Sequence, residues 1–236
     1  MLQTITDKIK IFYDGTNVLK YGNLPYVSGF TTNTSFMAAA KELNYADFYQ
    51  NHKDVINERP LSLQLFREDD DVMIADAMKI SSYGENVYVK VPIQKSNGES
   101  NKVVIQQLLS QNIKVNITAI FTYQQIISLY SILEHNTTPV IVSIFAGRIS
   151  DTGIDPFDII QFACHLFKEL SSVEILWAGC KEVLSINHAI RAGCHIITIP
   201  DSIMDRMDRI HKNLQEFSLE TIRSFKKDAV HAGIFI

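Results

Sequence analysis

Short apolar runs recur along the chain at a steady beat. Eight stand out: Lys10–Asp14 (KIFYD), Val27–Phe30 (VSGF), Leu61–Phe66 (LSLQLF), Asn86–Val91 (NVYVKV), Lys114–Thr118 (KVNIT), Val140–Phe145 (VIVSIF), Val173–Ala178 (VEILWA) and Cys194–Ile199 (CHIITI). Each is four to six residues long and rich in Val, Ile, Leu and aromatics, the pattern of parallel strands buried on both faces. Most of the gaps switch to helical spacing. Ser100 heads a segment carrying Val103, Val104, Ile105, Leu108 and Leu109, and Thr122 heads one with Ile126, Ile127, Tyr130 and Leu133 on one face. Asp155-Pro156 is a helix start, because proline needs no donor in the first turn and the aspartate accepts free N–H groups. Lys181–Arg191 is closed by Gly193, a C-terminal stop. Gly15–Tyr26 is a short gap, Thr34–Arg59 has room for two helices, and Ser218–Ala232 reads as a helix beyond the eighth unit.

Strands alternating with helices imply parallel pairing through right-handed crossovers. Eight such units predict an α/β chain folded as a single (β/α)8 TIM barrel with an extra C-terminal helix. The barrel domain would span 1–236, with about 201–236 forming the last barrel helix and the C-terminal extension. A doubly wound open sheet is the alternative, but Asp14-Gly15-Thr16-Asn17 offers one glycine where a phosphate loop needs several.

Composition narrows the class. The 236 residues are 46% hydrophobic and 20% charged, with a formal net charge of −4. That excludes a disordered chain and lacks the positive charge of a nucleic-acid or anionic-membrane binder. No apolar run reaches the ~18 residues of a membrane helix, and MLQTITDKIK has no signal-peptide core. Three scattered cysteines fit reduced thiols in a cytoplasmic protein. The histidines show no metal-ligand spacing, and Glu68-Asp69-Asp70-Asp71 reads as a charge run at a helix start, so no metal site is expected.

Catalytic groups of a barrel sit at the C-terminal ends of its strands. Asp14, Thr32, Asn33, Gln64, Lys90, Asn116, Thr118, Ser143, Arg148 and Lys181 all lie at or just beyond such ends. Lys90 interrupts Val87-Tyr88-Val89-Lys90-Val91 and shares a face with Tyr88. If the valines pack under the helices, Lys90 points into the barrel mouth; with the faces reversed it snorkels to solvent at the rim. An enclosed lysine held neutral at pH 7 bears between about 4 and 5 kcal/mol of disfavoured charge. Its use is as an amine nucleophile toward a carbonyl.

In order along the chain, the segments Phe12-Tyr13-Asp14, Thr31-Thr32-Asn33-Thr34-Ser35, Val89-Lys90-Val91-Pro92, Asn116-Ile117-Thr118, Phe145-Ala146-Gly147-Arg148-Ile149 and Ala192-Gly193-Cys194-His195-Ile196-Ile197-Thr198-Ile199-Pro200 resemble those of the transaldolase family, its fructose-6-phosphate aldolase-like members included. The resemblance implies a Schiff base on Lys90, proton transfer by Asp14, and water-assisted proton transfer by Thr118 with Gln64 beside it. It implies ketose binding by Thr32, Asn33, Asn116, Ser143 and Phe145, and phosphate binding by Arg148 and Lys181. It further implies small sugar phosphates as the molecules bound, no cofactor, and a homo-oligomer. Phe145, Ser143 and Asn116 look like the transferase, which passes a dihydroxyacetone unit to an aldose phosphate; Gln64 looks like the lyase, which releases it. Thr34 replaces the usual proline, and Gly179 stands where the family carries a phosphate-binding serine. A barrel that keeps the scaffold without catalysis is the remaining alternative.

Overall fold

The computed structural model describes residues 2–234. After a short helix α1 (Leu2–Thr6), the chain runs β1 (Lys10–Asp14), α2 (Val18–Tyr21), β2 (Val27–Thr31), α3 (Thr34–Ala40), α4 (Tyr45–Ile56), β3 (Leu61–Gln64) and α5 (Asp70–Ser81). It continues through β4 (Val87–Pro92), α6 (Lys102–Ser110), β5 (Val115–Ile120), α7 (Tyr123–Leu133), β6 (Val140–Ile144), α8 (Ala146–Ser150) and α9 (Phe157–Leu166). It then forms β7 (Val173–Trp177), α10 (Leu184–Ala192), β8 (Ile196–Pro200), α11 (Asp201–Met204) and α12 (Leu214–Ala232). The eight strands fall where the apolar runs predict them, with no end displaced by more than two residues. They close in sequence order into a parallel barrel, β1 pairing with both β2 and β8, so the open doubly wound sheet is excluded.

The helix boundaries follow local chemistry. Thr122 forms a capping box with Gln125 at the start of α7. Asn33, Asn44 and Asp69 accept backbone N–H groups at the starts of α3, α4 and α5, which places the acidic run at a helix N-terminus. Gly193 closes α10 with φ 88°. Two starts lie slightly later than expected. Asn101, not Ser100, occupies the cap position of α6, while Ser100 Oγ accepts the Lys102 N–H at 3.3 Å. A turn in which the Ser185 N–H meets the Glu182 carbonyl at 3.1 Å precedes α10, so Lys181 lies outside the helix.

Two layers fill the barrel interior. Phe12, Tyr88, Ile141, Leu176, Ala178 and Ile196 pack together as an apolar plug. Counting two residues onward from Phe12, Tyr88, Ile141 and Ile196, on the same strand faces, gives Asp14, Lys90, Ser143 and Thr198. The apolar layer is therefore the floor of a polar one at the C-terminal mouth. Each large side chain in that floor contributes about 1.5–3 kcal/mol by burial. Val87, Val89 and Val91 face the other way and are buried.

Contacts divide the chain into two compact units, Met1–Met204, which holds the barrel, and Asp205–Ile236. In the second, Asn213 caps α12, Lys212 pairs with Glu220, and Arg209 and Lys212 lie over the Phe217 ring. No residue of α12 is buried, and Leu219, Ile222, Phe225 and Val230 are exposed.

Candidate active site

Strand register assembles the polar layer. Asp14 pairs with Thr31, and Lys90 pairs with Gln64 on one side and Asn116 on the other. Lys90 is 5% exposed and faces inward with Tyr88. Its Nζ donates one long hydrogen bond, 3.4 Å, to the Thr32 carbonyl. Burial pushes the Lys90 ammonium below its usual pKa, with the nearby Asp14 charge opposing. Burial raises Asp14 above the usual carboxylate range, while Lys90 and a hydrogen bond from Thr31 pull it down and Asp201 adds a small upward push. The pair thus has an amine biased toward neutrality and a carboxyl biased toward holding a proton.

Two hydrogen-bonded chains rigidify the layer. Ser143 Oγ donates to Asn116 Oδ1 at 2.6 Å, and Asn116 Nδ2 donates to Ser62 Oγ at 2.9 Å. Thr31 Oγ1 donates to Asp14 Oδ1 at 2.7 Å and lies 2.6 Å from Thr198 Oγ1. On the outer face of β1, Tyr13 donates to Asp201 Oδ1 at 2.5 Å and accepts the Asn17 N–H at 2.9 Å, pinning the loop after Asp14.

Two candidate hydroxyls have no partner among the described residues: Thr32 Oγ1 and Thr118 Oγ1 are buried and unpaired. An unsatisfied buried hydroxyl costs about 1–3 kcal/mol, a cost that a bound water or ligand removes. Just beyond Thr118 the β5–β6 register slips between Ile117 and Ile120, and Ala119 takes φ 59°. This bulge sets Thr118 and Ala119 against Ser143 alone.

At the rim, Phe145 packs on the apolar plug and lies 5.6 Å from Phe121. Arg148 is exposed on α8. Lys181 Nζ lies 3.2 Å from Asp151 Oδ2 at the end of the same helix. Gly147 meets the turn after β7 backbone to backbone: a Cβ there would lie 1.7 Å from the Gly179 carbonyl oxygen. Gly179 itself has φ 73°, a conformation that favours glycine. Cys180 is buried, and its thiol donates to the Glu182 carbonyl at 3.3 Å.

Of the residues singled out from sequence, Asp14, Gln64, Lys90, Asn116, Thr118 and Ser143 come together around the mouth. Thr32 joins them through its carbonyl; strand alternation turns Thr31, not Thr32, onto Asp14. Asn33 spends its Oδ1 on the Ser35 and Phe36 N–H groups, leaving only its amide hydrogens for a ligand. Thr31 and Thr198, which lie in segments that carry the family resemblance, also belong to the polar layer, as does Ser62, which was not singled out. Their signal is parity: Ser62 stands two residues before Gln64, and Thr198 two after Ile196. No group of three or more His, Cys, Asp or Glu among the described residues is placed to hold a metal ion. No helix of the described residues is long and apolar enough to cross a membrane.

Solved structures with the same architecture include orotidine 5'-monophosphate decarboxylases. That from Sulfolobus solfataricus has a TM-score of 0.54 at 13% identity, covering 94% of this chain and 100% of its own. That from Leishmania donovani has a TM-score of 0.50 at 11% identity, covering 88% and 90%. At such identities the likeness concerns the fold alone. Sequence relatives reach further. A protein named "Probable transaldolase" from Nitrosopumilus maritimus is 29% identical over 225 residues, 93% of this chain and 94% of its own. Another of that name from Thermoanaerobacter sp. is 29% identical over 234 residues, 97% of this chain and 100% of its own. The family model described as Transaldolase/Fructose-6-phosphate aldolase matches residues 6–234. With a closed eight-stranded barrel, a lysine enclosed in its mouth and a match along nearly its whole length, this chain belongs to the transaldolase/fructose-6-phosphate aldolase family.

Proposed function

We propose that this chain is a transaldolase that moves a dihydroxyacetone unit from a ketose phosphate to an aldose phosphate through a Schiff base on Lys90. The observation that carries the reading is Lys90 itself: an enclosed amine, biased toward its neutral form, whose Nζ donates only a 3.4 Å hydrogen bond. A neutral amine is the form that attacks a carbonyl. Lys90 Nζ adds to C2 of the ketose and water leaves, giving an iminium. Asp14 takes the proton of the C4 hydroxyl as the C3–C4 bond breaks; the aldehyde departs, and the bonding pair remains as an enamine conjugated to the Lys90 nitrogen. The enamine carbon then attacks the aldehyde carbon of the acceptor, the new oxyanion takes the proton back from Asp14, and hydrolysis frees the lysine. The iminium is the electron sink, so the reaction needs no metal or organic cofactor.

The surrounding groups fit supporting roles. The unpaired Thr118 hydroxyl suits a water that carries protons during addition and hydrolysis. Asn116 and Ser143 face the sugar hydroxyls, and Arg148 and Lys181 supply cations for the phosphate. Phe145 favours transfer over release, because a phenyl ring beside the enamine has no proton to give it. The lyase reading draws on Gln64, which lies in register with Lys90 and has the amide found in the aldolase-like members.

Borohydride reduction in the presence of fructose 6-phosphate or dihydroxyacetone tests the chemistry. A three-carbon adduct on Lys90, absent from Lys90→Met, is expected; its absence with both compounds overturns the reading. Erythrose 4-phosphate then separates the two activities. Glyceraldehyde 3-phosphate released from fructose 6-phosphate only with this acceptor marks the transferase, and release without it marks the lyase.

A further inference from the structure

We infer that Thr198 is a positioning residue for the reaction proposed above: its hydroxyl turns that of Thr31 onto Asp14. The number of hydrogens sets the direction of this hydrogen-bonded chain. Thr31 Oγ1 lies 2.7 Å from Asp14 Oδ1 and 2.6 Å from Thr198 Oγ1, and a hydroxyl has a single hydrogen to give. In the ionised state that the proposed proton abstraction requires, the Asp14 carboxylate only accepts, so the Thr31 hydrogen goes to Asp14 and a Thr31 lone pair takes the Thr198 hydrogen. Both hydroxyls are then used, in one direction. The reverse order, Thr31 donating to Thr198, leaves the Thr198 hydrogen without an acceptor among the described residues and Asp14 Oδ1 without its donor. Thr31 and Thr198 are 1% and 3% exposed, so bulk solvent does not make up that loss.

Chained hydroxyls polarise one another, so a Thr31 that accepts from Thr198 is a better donor to Asp14. The charged groups acting on Asp14 are Lys90 from β4, which favours the ionised carboxyl, and Asp201 after β8, which opposes it. Thr198 adds to the side of Lys90 without adding charge, from the same strand end that leads into Asp201. Its effect is to favour the deprotonated, aimed form of Asp14, against the burial that raises its pKa, when the C4 hydroxyl of the substrate arrives.

The test is a pH titration of the resting protein, labelled with 13C at aspartate carboxyls, with the Asp14 signal assigned through Asp14→Asn. Thr198→Val removes the hydroxyl and keeps the shape; Thr198→Ser restores it. The Asp14 midpoint is expected to rise by roughly half to one pH unit in Thr198→Val and to return in Thr198→Ser. In a Thr31→Val background, Thr198→Val is expected to add nothing, and the acid limb of kcat/KM should move with the midpoint. An unchanged midpoint in Thr198→Val overturns the inference, as does an equal shift with Thr31 already removed. The titration needs no turnover, so its outcome stands whether or not borohydride traps an adduct on Lys90.

Discussion

Ser143 Oγ stands 2.6 Å from Asn116 Oδ1 and thereby fixes which end of that amide faces which neighbour. Ser62 accepts from the other end, so two serines on different strands clamp one asparagine. Ser143→Ala leaves a buried carbonyl oxygen unpaired and is expected to cost about 1–3 kcal/mol, read by urea denaturation. Ser62→Ala and Ser143→Ala restrain the same amide, so their double-mutant cycle should be non-additive by at least 0.5 kcal/mol or so. Strict additivity removes the clamp.

The buried lysine makes stability depend on pH in a stated direction. Burial lowers its pKa in the folded chain below the 10.5 of a free lysine. Between the lowered value and 10.5 the unfolded chain binds more protons than the folded one, so stability rises with pH across that window. Asp14 is raised above 3.8, so between 3.8 and its raised value the folded chain holds more protons and stability falls as pH rises. Lys90→Met should flatten the rise on the alkaline side, measured as urea midpoints from pH 7 to 10. An equally steep rise in the variant would assign it to another group.

Ala119 holds φ 59° at the bulge beside Thr118, where a Cβ is strained. Ala119→Gly should leave stability unchanged or raise it by up to about 1 kcal/mol. Ala119→Val should lower it by about 1–2 kcal/mol and reduce kcat more than it raises KM, because the bulge aims Thr118. Thermal melts and steady-state kinetics on the two variants check both halves.

These sites show how far the sequence was legible. The strands were plain because a strand buried on both faces is an apolar run whatever its neighbours. Lys90 was legible as an interruption, but its inward direction needed Tyr88 to be seen in the plug. Thr31 and Thr32 are adjacent and identical, so only the register of β1 against β2 tells which one meets Asp14. Nothing in VNITAI announces the bulge, since Ala has no preference for the left-handed region. The Lys181–Asp151 pair joins residues 30 positions apart and exists only once β6 and β7 lie side by side.

That pair holds a cation beside an anion where a phosphate is proposed to sit. Both side chains are more than half exposed, so Asp151→Asn should change stability by less than about 0.5 kcal/mol. It should lower KM for a phosphorylated ketose a few-fold at low salt and leave an unphosphorylated one unaffected. Equal effects on both substrates would take Lys181 out of the phosphate subsite.

Phe145 has a ring hydrogen where a tyrosine would place a hydroxyl, beside the proposed enamine. Phe145→Tyr is expected to increase acceptor-independent release of aldehyde from fructose 6-phosphate relative to transfer, followed by a coupled assay with and without erythrose 4-phosphate. An unchanged ratio removes Phe145 from the partition between the two activities.

The contact between Gly147 and Gly179 has a bearing on how this mouth can change. With no room for a side chain at Gly147, the segments leaving β6 and β7 are spaced by main chain against main chain. Arg148 and Lys181 each follow one of these glycines within two residues, so the gap between their anchor points is set by peptide groups and not by rotamers. Such a seam works as a fixed ruler. If Arg148 and Lys181 bind the proposed phosphate, substitutions on either side can retune which anion fits without altering the span between them, and an insertion on either side should disturb both cations together.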